Sequence, residues 1–266
     1  MNTAVLKNIL LLFAVLQPGL FVALSQDLSA FEKKWMVQGN DTMPYRVLLP
    51  LNYDTAKAYP VIFFLHGAGE RGRDNEKQLV HGSKLFLQEE VRKNFPAIVV
   101  FPQCGTNDYW SNVLRTHDAS GKRQFHFLPG GEPTRSMALL QKLTRLILAS
   151  YRVKSNQVYI GGLSMGAMGT YELVRRMPRI FAAAFAICGG AEPSTARQLK
   201  QTSWWIFHGL KDDVVDPVFS RKMTDALKAA GADTRLTLYP EANHNSWDPA
   251  FAEKELFTWL FSKKKK

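Results

Sequence analysis

From residue 60 onward the chain alternates short, unbroken apolar runs with longer segments of helical periodicity. Residues 61–65, 97–101, 158–160, 181–188 and 204–207 contain almost no polar side chain. Such runs suit strands buried on both faces, as in a parallel sheet. Residues 234–239 add one more strand. Helices are expected between them. One lies near 84–93. A second begins at Pro133 and runs to about Tyr151, with Met137, Leu140, Thr144 and Ile147 on one face. Another ends near Met177-Pro178. A short one spans 195–200, an amphipathic one runs from Pro217 to Ala230 before Gly231, and a terminal one covers 249–261. Upstream, residues 31–37 and 45–49 read as strands broken by Gly39-Asn40-Asp41 and Pro44. Residues 103–131 form a long irregular connection with Tyr109, Trp110, His117, His126 and Phe127. Loops of that length are often functional. Strands alternating with helices imply a mostly parallel sheet with helices on both faces.

The first 25 residues stand apart. Lys7 precedes an apolar run at 9–15, and Ala23-Leu24-Ser25 offers small residues for cleavage. This is the pattern of a secretory signal peptide cut after Ser25, which predicts a secreted or periplasmic protein. The run is interrupted at Gln17-Pro18-Gly19 and is short for a membrane span, so no stable membrane insertion is expected. Residues 26–266 then make a single domain.

Charge and cysteines change the picture little. The net charge is +11, of which Lys7 and the four lysines at 263–266 supply five. No nucleic-acid motif accompanies it. Cys104 and Cys188 both follow apolar runs and could lie at the same end of a sheet. In an exported protein they could pair or remain two buried thiols.

The chemistry is concentrated at residues 157–170. An apolar run meets Gly162-Leu163-Ser164-Met165-Gly166, followed by helix-forming residues. Strand, sharp turn and helix around G-x-S-x-G is the context of a nucleophile elbow. The turn strains the serine backbone, and the glycines let neighbouring backbone approach. A bare glycine-rich turn with a solvated serine is the plainer alternative.

A serine hydroxyl needs a base, and the base needs an orienting group. In open α/β sheets these groups lie beyond the carboxyl ends of the strands, in chain order serine, acid, histidine. Asp212, Asp213 and Asp216 follow the 204–207 strand, and Asp212 is the chosen acid. His244, after the last strand, is the base. His66 and His208 adjoin glycines at strand ends and read as structural. His81, His117 and His126 precede the serine. No histidine spacing suggests a metal. The oxyanion of an acyl-transfer intermediate needs two aimed N–H donors. These are assigned to Met165 and Ala68, with Gly67 the alternative to Ala68. Tyr109, Trp110 and Trp247 are candidates for a substrate-binding wall, although aromatic residues also fill cores. Glu70 and Arg71 could form an ion pair bracing the oxyanion loop.

Six ordered motifs carry a resemblance. They are His66-Gly-Ala-Gly-Glu-Arg-Gly72, Phe101-Pro-Gln-Cys104, Gly162-Leu-Ser-Met-Gly166, Ile187-Cys-Gly-Gly190, His208-Gly-x-x-Asp212 and His244-Asn-Ser-Trp247. Together they resemble the α/β-hydrolases, in an exported bacterial branch described as predicted peptidase or phospholipase/carboxylesterase. That branch is similar to polyhydroxybutyrate depolymerase-like and feruloyl-esterase-like enzymes. The resemblance covers roughly residues 30–262. It implies the α/β-hydrolase fold, a Ser164-Asp212-His244 triad and no cofactor.

The expected activity is carboxylic ester hydrolysis through an acyl-enzyme, on small esters or acylated polysaccharide. A serine peptidase of the prolyl-oligopeptidase type shares the fold and triad order. A non-catalytic binding module is the third reading.

Overall fold

The computed structural model describes residues 27–121 and 123–265. The expected signal peptide lies outside them. The described residues form ten strands: β1 (Phe31–Gln38), β2 (Asp41–Leu48), β3 (Tyr59–Leu65), β4 (Ile98–Pro102), β5 (Val113–His117), β6 (Arg123–Phe127), β7 (Val153–Leu163), β8 (Ala183–Ile187), β9 (Ser203–Gly209) and β10 (Thr234–Tyr239). Among the described residues eight α-helices follow: α1 (Ser83–Leu87), α2 (Glu89–Asn94), α3 (Arg135–Ser150), α4 (Met165–Arg176), α5 (Ala196–Leu199), α6 (Val218–Ala229), α7 (Trp247–Phe251) and α8 (Leu256–Ser262). None is long and apolar enough to cross a membrane.

Eight strands form one sheet in the order β1-β2-β4-β3-β7-β8-β9-β10. It is parallel from β4 to β10 and antiparallel at β1-β2 and β2-β4. The apolar runs are its centre. Every residue of β4 and β8 is buried, as is β3 after Tyr59. Side chains alternate across the sheet and feed two cores. Phe63, Ile160, Ala184 and Ile206 lie on one face with Met137, Leu140 and Ile147 of α3. Ile62, Tyr159, Phe185 and Trp205 lie on the other with Leu256 and Leu260 of α8. The helices on both faces are what the unalternated runs require.

Four local expectations change. Pro44 lies inside β2 rather than breaking it. Its carbonyl accepts from Gln103 N–H at 2.8 Å, so the side lacking an N–H faces the end of the β4 ladder. The 103–131 connection contains an antiparallel ribbon, β5-β6, where a loop was expected. The helix near 84–93 is split at Gln88, whose backbone is extended. The terminal helix is divided into α7 and α8.

The cysteines are both free and buried. β4 and β8 are separated by β3 and β7. Three steps at strand spacing put them roughly 14 Å apart, well beyond disulfide reach.

β3 sits between β4 and β7, and the chain leaves it in one direction and returns on the other side. This is a topological switch point, and ligand sites form beyond its carboxyl ends. β7 ends there at Leu163 and β3 at Leu65, with Leu65 paired to Gly162.

Candidate active site

Ser164 occupies the turn between β7 and α4 with φ +53° and ψ −119°. A non-glycine residue rarely holds this conformation, and tertiary contacts enforce it. Its N–H donates to the Ile187 carbonyl of β8 at 2.8 Å. A Cβ on Gly166 would lie 2.0 Å from the Leu65 carbonyl oxygen, and one on Gly162 would lie 2.5 Å from the Gly166 backbone. The two elbow glycines therefore let β3, β7 and α4 touch backbone to backbone.

His244 lies in the loop between β10 and α7. Its Nε2 is 2.9 Å from Ser164 Oγ, and its Nδ1 is 2.8 Å from Asp212 Oδ2. The acidic partner puts the hydrogen on Nδ1 and leaves Nε2 to accept from the serine. Gly209, at the end of β9, brings the two loops together. A Cβ there would lie 2.3 Å from Ala242 O and 2.4 Å from Asn243 O.

Asp212 is buried and fully engaged. Burial alone would push its carboxyl up. Hydrogen bonds from His208, His244 and the Val215 N–H overcome that and hold it well below the usual carboxylate range. Its Oδ1 accepts from Val214 and Val215 N–H, each at 2.9 Å. Asp213 is exposed, and Asp216 accepts from Val218 N–H at the start of α6. Neither makes a hydrogen bond or ion pair with His244 among the described residues.

His208, read from sequence as structural, binds the same carboxylate. Its Nε2 is 3.1 Å from Asp212 Oδ2 and 2.9 Å from Val215 O, while Nδ1 is 2.6 Å from Ser220 Oγ. The only sequence signal was its spacing of four residues from Asp212.

Met165 is the first residue of α4, and Ala68 opens a short 3₁₀ turn at Ala68–Glu70. First-turn N–H groups have no intrahelical acceptor. A Cβ on Gly67 would lie 3.8 Å from Ser164 Cβ, so this loop passes beside the serine. Fully buried His66 holds it. Its Nδ1 meets Gly67 O at 2.6 Å, and Nε2 accepts from Cys104 N–H at 3.0 Å. Burial lowers its pKa to about 4, so it stays neutral.

Arg71 also braces the loop, although not through Glu70. Its Nε donates to Ala68 O at 2.9 Å and its Nη1 to Asp108 O at 3.3 Å. Glu70 instead lies 3.7 Å from His81 Nε2.

The aromatic candidates separate. Trp110 is fully buried, and its indole donates to His66 O at 3.2 Å. Its Cβ would be only 2.4 Å from a Cβ on Gly169. Trp110 supports the loop that carries Ala68, and its ring has no exposed face. Tyr109 is also buried, under the Arg115 guanidinium. Trp247 is half-buried, with ring centroids 5.6 Å from His244 and 5.0 Å from His81.

Among the described residues, ligand atoms of Cys188, Asp212 and His244 lie within 4.8 Å of one another. The imidazole and carboxylate are already engaged with each other, with Ser164 and with backbone N–H groups. Burial raises the Cys188 thiol and keeps its proton in place. Two of the three donors are thus already committed to the contact with Ser164.

Fold and site together define an α/β-hydrolase. The profile of the Esterase family matches residues 38–255, and the chain belongs to that family. A thermostable esterase of known structure is 31% identical, with TM-score 0.79, over 89% of this chain and 64% of its own. The chain thus spans less than two thirds of that relative's length. The CE1 ferulic acid esterase of Anaeromyces mucronatus, solved with ferulic acid, is 15% identical over 88% of this chain and 90% of its own, with TM-score 0.63. The acylaminoacyl peptidase of Pyrococcus horikoshii is 14% identical over 90% of this chain and 43% of its own, with TM-score 0.58. The last two are likenesses of fold. No curated protein matches the sequence.

Proposed function

We propose that the protein hydrolyses carboxylic esters with Ser164 as nucleophile, His244 as general base and acid, and Asp212 as the group that orients His244. The observation that carries this is the continuous contact Ser164 Oγ, His244 Nε2, His244 Nδ1, Asp212 Oδ2, at 2.9 and 2.8 Å, at the switch point of the sheet. Membership of the Esterase family supports the choice of ester over amide.

In this mechanism Ser164 Oγ bonds to the ester carbonyl carbon while its proton passes to His244 Nε2. The carbonyl electron pair moves to oxygen, which the Met165 and Ala68 N–H groups stabilise. Collapse expels the alcohol oxygen, which takes the proton from Nε2. Water, deprotonated by the same nitrogen, then releases the acid and restores the serine. The residues assigned here need no cofactor. Residues 1–25 direct export, and the natural substrate is a small or sugar-linked ester.

The test is hydrolysis of esters from acetyl to long acyl, with feruloyl and acetylated-sugar esters, by wild type and Ser164→Ala. Activity lost in the variant is the expected result. Cleavage of aminoacyl-anilides without ester cleavage would move the assignment to a peptidase. Ester cleavage intact in Ser164→Ala would overturn it.

A further inference from the structure

A cavity of about 560 Å³ lies beside the oxyanion loop and is not used by the mechanism above. Trp35, Asn40 and Thr42 of the β1-β2 hairpin form one side. Arg73, Asn107 and Arg135 face them from the segment after the oxyanion turn, the loop after β4 and the start of α3. Its volume is within the usual range for ligand sites.

The walls are tied to the loop that passes Ser164. Gly72 lines the cavity, and its N–H donates to Cys104 O at 2.9 Å. Gln103, another lining residue, donates to Glu70 O at 3.2 Å. Arg71 joins Ala68 O to Asp108 O. A molecule held in the cavity therefore rests on the segments that position Ala68.

The lining selects for chemistry. Trp35 is 53% exposed, and its ring has no aromatic partner among the described residues. An exposed tryptophan on an edge strand offers a flat apolar face to a ligand. Around it, the side chains of Asn40, Thr42 and Asn107 make no hydrogen bond within the described residues. Amides and hydroxyls both donate and accept, as sugar hydroxyls do. The C–H face of a pyranose ring stacks on an indole while its hydroxyls reach such groups at the ring edge. A fatty acyl chain would leave these polar groups without partners. Arg135 is occupied by an ion pair with Asp41, whereas Arg73 is exposed and makes no ion pair among the described residues.

We propose that this cavity is a carbohydrate subsite that holds a pyranose chain carried by the ester substrate, with Trp35 as its stacking platform. The assignment of this sugar to the substrate rests on the ester-hydrolase reading above. Arg73 extends the subsite toward uronic acid residues.

The experiment has two arms. Calorimetric titration of the Ser164→Ala protein with xylotetraose, cellotetraose and tetragalacturonate reads binding without turnover. Kinetics of wild type and Trp35→Ala on a small aryl acetate and on an acetylated xylo-oligosaccharide read use of the subsite. At least one tetrasaccharide is expected to bind. Adding Trp35→Ala should weaken it about tenfold, the effect of removing one aromatic anchor. The KM for the sugar ester should rise similarly, with aryl acetate hydrolysis unchanged. Arg73→Ala should weaken tetragalacturonate selectively. Binding by none of the three sugars, or binding unaffected by both Trp35→Ala and Asn107→Ala, would overturn the proposal. Failure of the ester-hydrolase reading looks different: wild type would leave the aryl acetate intact whatever the sugars do.

Discussion

Buried His208 binds the same oxygen of Asp212 that orients His244: Nε2 of His208 is 3.1 Å from Oδ2, and Nδ1 of His244 is 2.8 Å from it. His208 is in turn fixed by Val215 O and Ser220 Oγ. The carboxylate is thereby held from behind while it holds His244 in front. His208→Ala should lower kcat roughly tenfold or more with little change in KM, because it disturbs alignment and not substrate contact. In an Asp212→Asn background the same substitution should do little. Equal losses in both backgrounds would show that His208 acts independently of Asp212.

Ser164→Ala should reduce ester hydrolysis by about 10⁴-fold or more. The positive φ of residue 164 makes a second outcome specific. Ser164→Gly should be more stable than Ser164→Ala by roughly 1 kcal/mol, because glycine relieves the strained backbone. Urea denaturation of the two inactive variants checks this. Equal midpoints would argue against strain at the elbow.

Glycine requirements differ sharply within the two site loops. Gly166→Ala would press a methyl into the Leu65 carbonyl and should destabilise the fold by about 3 kcal/mol. Gly69, in the loop after β3, has open space where its Cβ would lie, and Gly69→Ala should change stability little. Thermal unfolding of both variants makes the comparison.

His66 gives a pH prediction. Its folded pKa is about 4 against 6.5 for an unperturbed ring, because burial disfavours its charged form. The unfolded chain therefore binds more protons between these values. The stability from neutral His66 is complete above about pH 6.5 and is lost as pH falls toward 4, roughly 3 kcal/mol in all. Asp212 works in the same sense at lower pH: its depressed carboxyl adds stability above the unfolded value and loses it as acid protonates the native carboxylate. NMR titration should show the His66 ring unchanged from neutral pH to near 4. A midpoint near 6.5 would contradict this.

Much of the candidate site was legible because its signals are local. An elbow needs its two glycines within a few residues of the serine, and β3, β4 and β8 needed only uninterrupted apolar runs. The long connection was harder. Leu114 and the other outward residues of β5-β6 face solvent, so the ribbon lacks the continuous apolar run of a core strand. Trp110 was ambiguous for the same reason: an aromatic residue in a loop looks alike whether it lines a cleft or fills a core.

The sequence by itself determined the class of fold and pointed to Ser164 as the candidate nucleophile, with an acid and a histidine to follow it, since periodicity, glycine spacing and chain order are properties of neighbouring residues. Only the tertiary structure decided which groups meet. Ser164 and His244 are 80 residues apart, and Asp212 and His244 are 32 apart. Their contact depends on the parallel register of β3, β7, β8 and β9 and on the close crossing at Gly209. The clasp of His208 on Asp212, the bracing of Ala68 by Arg71 and the cavity under Trp35 likewise arise where separate loops pack at one end of the sheet. Side-chain distances there are set by long-range packing, for which a linear pattern carries no coordinate.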